Sequence, residues 1–176
     1  MKYLLLIALL FAVSCDNAKT IWDKLRKTYS RAGTAGLMGN LEAESGLKSV
    51  IYQNSYKSSV GLTDQQYVNQ VNSGAYSEYK FVHDSVGFGL AQWTYYSRKQ
   101  DLYNKCKKGR GNIGDLNCQV DFILDELAGT KLGSYLKTTT DVYTATSRVC
   151  KEYERPAVNN IETRYNFAKK HYNNFK

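Results

Sequence analysis

Apolar positions recur every three or four residues along most of the chain, so helical periodicity dominates and the predicted fold class is mainly α. Ile21 and Leu25 lie one turn apart in a first predicted helix over Ala18 to Tyr29, and a second is predicted over Thr34 to Glu44. From Val50 to Ser85 the chain turns polar, yet Thr63-Asp64-Gln65-Gln66 has the form of a capping box, which predicts a short helix ending near Gly74. Another helix is expected over Tyr96 to Lys105. Leu116, Val120, Leu124 and Leu127 then recur at helical spacing, with Asp115 placed to cap them and Gly129 to stop them. Val142, Val149 and Tyr153 mark a helix ended by Pro156, and Ile161, Tyr165, Ala168 and Tyr172 mark the last. The sequence therefore predicts a helical domain with a small irregular or β-hairpin lobe in its middle.

Residues 1–15 change the picture at the N-terminus. Lys2 precedes an apolar run from Tyr3 to Val13 that closes on Ser14 and Cys15, the order of a secretory signal peptide, so the fold is assigned to a single domain over 16–176. Ala12-Val13-Ser14-Cys15 also faintly resembles a lipoprotein cleavage box, in which Cys15 would be acylated. With 176 residues one core is expected, and no segment has the roughly 18 apolar residues of a bilayer span. A secreted protein without stable membrane insertion follows, and a monomer is expected. Cleavage after Cys15 leaves Cys106, Cys118 and Cys150, enough for one bridge and one spare thiol. Cys106 with Cys118, flanking a short basic loop, is the favoured pair; if Cys15 stays on the mature chain, two bridges are possible and the pairing is open.

Net charge is +8, and loss of Lys2 with the acid-free leader brings the mature chain to +7. Such a balance favours anionic partners. The basic residues form no stripe, so nucleic acid is not expected; anionic bacterial envelope polymers fit better. Gly109 to Gly114 satisfies GxGxxG but follows a basic helix and lacks a βαβ frame, so it reads as a loop. The only histidines, His83 and His171, sit in no thiol-peptidase motif, the cysteines show no zinc spacing, and neither metal nor cofactor is expected.

Candidate chemistry centres on Glu44. At about 100° per residue, Leu37, Leu41 and Glu44 share one helical face, while Glu42 points about 160° away from Glu44 toward water. A carboxyl closing an apolar stripe loses the water that would solvate its anion and can hold a proton near neutrality, as a general acid must. The competing reading is a structural carboxylate that ends a helix and pairs with a Lys or Arg.

Two strings decide between them. Gly39-Asn40-Leu41-Glu42-Ala43-Glu44-Ser45-Gly46, followed by Gly87-Phe88-Gly89-Leu90-Ala91-Gln92-Trp93, resembles the lysozyme-like superfamily of goose-type lysozymes and lytic transglycosylases. The best match is the phage tail lysozyme family, over about Gly33 to Tyr172, including Phe81, Asp84, Arg98, Gln119, Glu126-Leu127, Glu154-Arg155-Pro156 and Arg164. The resemblance implies a lysozyme-like fold whose small lobe lines a glycan cleft. It also implies cleavage of the β-1,4 bond between N-acetylmuramic acid and N-acetylglucosamine in peptidoglycan glycan strands, with Glu44 as catalytic acid. The leader and the cysteines depart from the family pattern and describe a stand-alone secreted version.

For the second catalytic group the candidate is Asp84, which matches a family acid, although it is equally placed to cap the turn into Ser85 and Gly87. Gly89 and Gly87 would let backbone approach a sugar, Gln92 offers a donor and acceptors to an acetamide, and Trp93, Tyr95 and Tyr96 could stack on pyranose faces. Trp93 reads equally as core. Two further readings stay open: a lytic transglycosylase using the same glutamate, and a non-enzymatic cationic wall-binding protein.

Overall fold

A computed structural model describes residues 17–175; the segment 1–15, expected to be a signal peptide, lies outside the described residues, Cys15 included. The mainly α fold class is observed. The chain forms two compact units, one made of the segments up to Leu47 and from Leu127 onward, the other of Lys48–Glu126.

In the first unit, α1 (17–26) buries Ile21, Trp22 and Leu25. The next helix, α2 (Arg31–Ser45), is capped by the Ser30 side chain, which accepts from the Gly33 N–H, and stops at Gly46 in the left-handed conformation. Its residues from Ala32 to Leu41 are all buried, so α2 has no solvated face over that length. Glycines make this possible. A Cβ on Gly33 would stand 2.1 Å from the Leu136 carbonyl oxygen, one on Gly36 2.7 Å from the Ala145 Cβ, and one on Gly39 2.4 Å from the Arg164 carbonyl oxygen. One helix thus accepts three others at backbone range: α8 (Lys131–Thr138), α9 (Val142–Arg148) and α10 (Ile161–Asn174). The α9 helix continues as a π-helical turn, Val149–Glu154, that ends on Arg155 at φ +51° before Pro156. This turn carries Cys150, a buried free thiol whose burial pushes its pKa up.

The second unit contains α3 (Lys57–Val60), α4 (Asp64–Ser73), α5 (Glu78–His83), α6 (Tyr96–Leu102) and α7 (Leu116–Leu127). Both hydrogen bonds of the predicted capping box are present at Thr63 and Gln66, and Gly74 closes α4. Asp115 caps α7 through the Cys118 N–H. Tyrosines build this unit's interior: Tyr67 stacks on Tyr52 at 4.8 Å between ring centroids and meets Phe88 at 5.7 Å, while Phe81 meets Phe88 at 5.7 Å. The stretch that reads as polar therefore encloses an aromatic core, because a tyrosine ring buries as well as a phenylalanine once its hydroxyl has a partner.

Cys106, in the π-helical turn Tyr103–Lys108 that extends α6, is bridged to Cys118 of α7, as expected. By loop entropy such a bridge contributes about 3 kcal/mol. Gly109 to Gly114 lies in the loop this bridge closes, and not in a βαβ unit.

The Gly87–Trp93 string forms part of the predicted irregular lobe. It is a tight reversal in which Phe88 and Trp93 exchange both backbone hydrogen bonds, 3.2 Å and 2.9 Å, and Phe88 also bridges Tyr52. Gly89 at φ +73° and Gln92 at φ +45° supply the left-handed positions that reverse it.

Candidate functional site

Glu44 sits on the last turn of α2, where Ser45 donates back to the Leu41 carbonyl and the Gly46 N–H donates to the Glu42 carbonyl. Its carboxyl is 19% exposed, and Oε1 accepts from Arg164 Nη2 at 2.6 Å. Arg164 is itself buried and fixed from the other side: Nη1 donates to Asn40 Oδ1 at 3.2 Å, while Asn40 Nδ2 donates to the carbonyls of Gly36 and Thr146. A chain of buried polar groups thus runs from α9 through α2 and α10 to Glu44. Leu37 and Leu41 are buried beneath it as the wheel predicts, but the group nearest the carboxyl is a guanidinium and not a ring of leucines.

Glu42 corrects the wheel as well. It was expected in solvent, yet its carboxyl is 17% exposed and engages His171 Nε2 and Lys170 Nζ of α10. The cause is α10, which covers the side of α2 that periodicity assigns to water. Desolvation raises the Glu42 pKa, but the hydrogen bond and charge of His171, joined by Lys170, outweigh it and hold the group below the usual value of 4.5. A carboxyl with a lowered folded pKa stabilises the fold fully above its unfolded pKa and loses that contribution as pH falls through the folded value. Between about pH 5 and pH 3 the wild type is therefore expected to lose denaturation free energy more steeply than Glu42→Gln in urea titrations.

In the second unit Asp84 is held by several groups of the protein itself. Its carboxylate accepts from Tyr67 Oη at 2.7 Å, Tyr76 Oη at 3.2 Å and the Val86 N–H at 2.9 Å, and it pairs with Lys99 Nζ. Lys99 is buried completely and also donates to the Val86 carbonyl. Burial lowers the Lys99 pKa against the opposing pull of Asp84, and it pushes the Tyr76 phenol up to about 12, with Asp84 adding to the rise. The bond to Val86 is the Asx turn anticipated for this position; the rest makes Asp84 the internal tie between α5 and α6.

Three residues of the expected glycan-lining segment are engaged within the protein. Trp93 is buried in the core, its Nε1 donating to Glu126 Oε2 at 3.0 Å and its ring 5.3 Å from Phe122, so it has no face for a sugar. Gly89 is required by its φ and by the side chain of Gln119, whose Oε1 would be 2.6 Å from an added Cβ, leaving no gap for a ligand. Gln92 spends its Nε2 on the Gly89 carbonyl at 3.0 Å and the Ile51 carbonyl at 3.4 Å, locking the reversal. Of the candidate stacking rings, Tyr95 and Tyr96 are broadly exposed, at 61% and 54%.

Pairing of Glu44 with a Lys or Arg was the competing reading from sequence, and the structure shows such a pair; what sequence reading missed is that the partner is Arg164 and that Asn40 supports it. Arg164 belongs to the family string, but its partner lies 120 residues away, and nothing in either segment announces the pairing. Among the described residues no three His, Cys, Asp or Glu side chains are grouped to hold a metal ion, and no helix is long and apolar enough to cross a membrane. Chemically, the first unit presents a shielded, partly accessible carboxyl held through Oε1.

The family model described as phage tail lysozyme matches residues 16–175. No curated protein matches the chain.

Proposed function

Because the chain belongs to the phage tail lysozyme family, a family of peptidoglycan-cleaving enzymes, we propose that it is a secreted muramidase whose general acid is Glu44. It hydrolyses the β-1,4 bond between N-acetylmuramic acid and N-acetylglucosamine. The observation that carries this reading is the family match over residues 16–175, together with a Glu44 carboxyl that stays 19% exposed on the last turn of α2. The guanidinium fixes Oε1, so the carboxyl keeps one orientation and Oε2 delivers the proton to the departing glycosidic oxygen. Cleavage passes through an oxocarbenium-like state, and the carboxylate left behind then faces the developing positive charge.

A second reading, lytic transglycosylase chemistry with the same Glu44, draws on one specific observation. Asp84 is spent on three hydrogen bonds and Lys99, and chemistry that needs only one protein carboxyl is favoured accordingly. Mass spectrometry of muropeptides released from purified walls separates the two. Hydrolysis yields reducing N-acetylmuramic acid ends, the expected product; 1,6-anhydro ends would assign the chain to transglycosylation instead.

A further inference from the structure

The second unit carries a surface feature that neither Glu44 nor the aromatic core requires. Tyr79 and His83, one turn apart on α5, stack at 4.3 Å between centroids; His83 lies nearly parallel to Tyr96 at 6.2 Å, and Tyr96 meets Tyr95 at 4.7 Å. The four rings form a continuous ladder from α5 to the start of α6. They are not core: Tyr79 is 73%, Tyr95 61% and Tyr96 54% exposed, while other tyrosines of the same unit, Tyr52 and Tyr67, are fully buried. An exposed contiguous aromatic patch marks an interaction surface.

Beside the ladder lies an open groove of about 480 Å³ lined by Val82, His83, Ser85, Thr94, Tyr95 and Tyr96. That volume falls in the range of ligand-holding clefts, roughly 300–1,000 Å³. Its lining is specific in chemistry: three rings, two of them phenols, the hydroxyls of Ser85 and Thr94, one aliphatic side chain and no carboxylate. The His83 imidazole uses Nδ1 on the Tyr79 carbonyl at 2.9 Å, so Nε2 is the ring atom left for a ligand.

Flat ring faces bordered by hydroxyl and imidazole groups match a pyranose, which offers one face of C–H bonds and an equatorial rim of polar groups. A lipid surface would call for Leu, Phe or Trp ringed by basic side chains, and only Val82 of the lining is aliphatic. The lack of a lining carboxylate, on a chain of net charge +8, also suits wall polymer bearing acidic stems.

We propose that Tyr79, His83, Tyr95 and Tyr96 form a stacking subsite for N-acetylhexosamine residues of the glycan strand. The subsite rests on the peptidoglycan reading, and it places substrate contact on α5 and the start of α6. Asp84, the C-cap of α5, holds the ladder by tying that helix to Lys99 of α6.

The test is made in the Glu44→Gln background, so that binding is read without turnover, with the N-acetylglucosamine tetramer as probe. Tyr79→Ala/Tyr95→Ala/Tyr96→Ala is expected to weaken tetramer binding by calorimetry about tenfold or more, and the corresponding Phe triple variant to restore it, with circular dichroism unchanged in both. Equal affinity in the Ala variant would overturn the subsite, as would a Glu44→Gln protein that does not bind the tetramer at all. A wild-type dimer in sedimentation that becomes monomeric in the Ala variant, with unaltered tetramer affinity, would overturn it by assigning the ladder to contacts between copies. Failure of the muramidase reading has a different signature, since it is seen in product release by the wild type and not in probe affinity.

Discussion

Glu44→Gln is expected to lower the rate of muropeptide release by about 10³-fold or more while the protein still sediments with purified walls. The amide matches the carboxyl in shape and can still accept from Arg164, so the fold is expected to survive; what disappears is the transferable proton. General acid catalysis is worth roughly 10²–10⁴-fold, and the lost carboxylate also ceases to face the oxocarbenium-like charge, which places the combined effect in the upper part of that range. Circular dichroism and urea titration of the variant verify that folding is intact. Wall lysis continuing at the wild-type rate in Glu44→Gln would replace the enzymatic reading with that of a cationic wall-binding or membrane-active protein.

The second large effect is on stability and is located at Asp84. Asp84→Ala strands the fully buried Lys99 and removes the acceptor of two tyrosine hydroxyls, and breaking one side of a buried pair costs about 3–5 kcal/mol. Urea denaturation is expected to show a loss of that size, with unfolding seen by tyrosine fluorescence from the aromatic core of the same unit. Asp84→Asn discriminates structure from catalysis. If Asp84 is the tie described here, the amide variant is destabilised and its remaining folded fraction still cleaves walls; a variant of wild-type stability with no turnover would return Asp84 to the catalytic machinery.

How far the sequence can be read depends on the range of the interaction concerned. The capping box at Thr63, the Asp115 cap and the apolar repeat of α7 are local, and each appears where the pattern puts it. Three helices escaped, and one of them, α3, buries no residue at all. In α5 the buried positions are only Phe81 and Val82, and in α8 they are Leu132, Gly133 and Leu136, too few to establish a 3.6-residue period. Their caps, Ser77 and Thr130, were the available signals.

Amphipathicity fails on α2 for a different reason. A wheel assumes one dry side and one wet side, and α2 has neighbours on every side because Gly33, Gly36 and Gly39 admit them at backbone range. Hence Glu42 and Glu44 are shielded to nearly the same degree, 17% and 19% exposed, and differ by partner instead: His171 and Lys170 for one, Arg164 for the other. Gly89 was read as sugar-lining, and Trp93 as sugar-lining or core, because an aromatic-glycine string looks alike whether it faces a ligand or locks a turn. The partners that decide the matter, Glu126 and Gln119, come from the distant helix α7. Tyr95 was legible as an exposed ring; the ladder it completes depends on α5, which periodicity did not detect.

Digestion of purified peptidoglycan by wild type and Glu44→Gln side by side, with products resolved by mass spectrometry, tests the central claim most directly. The account predicts disaccharide muropeptides of N-acetylglucosamine linked to reducing N-acetylmuramic acid from the wild type and essentially none from the variant. Equal release by both proteins, or products that are stem peptides detached from intact glycan, would contradict it.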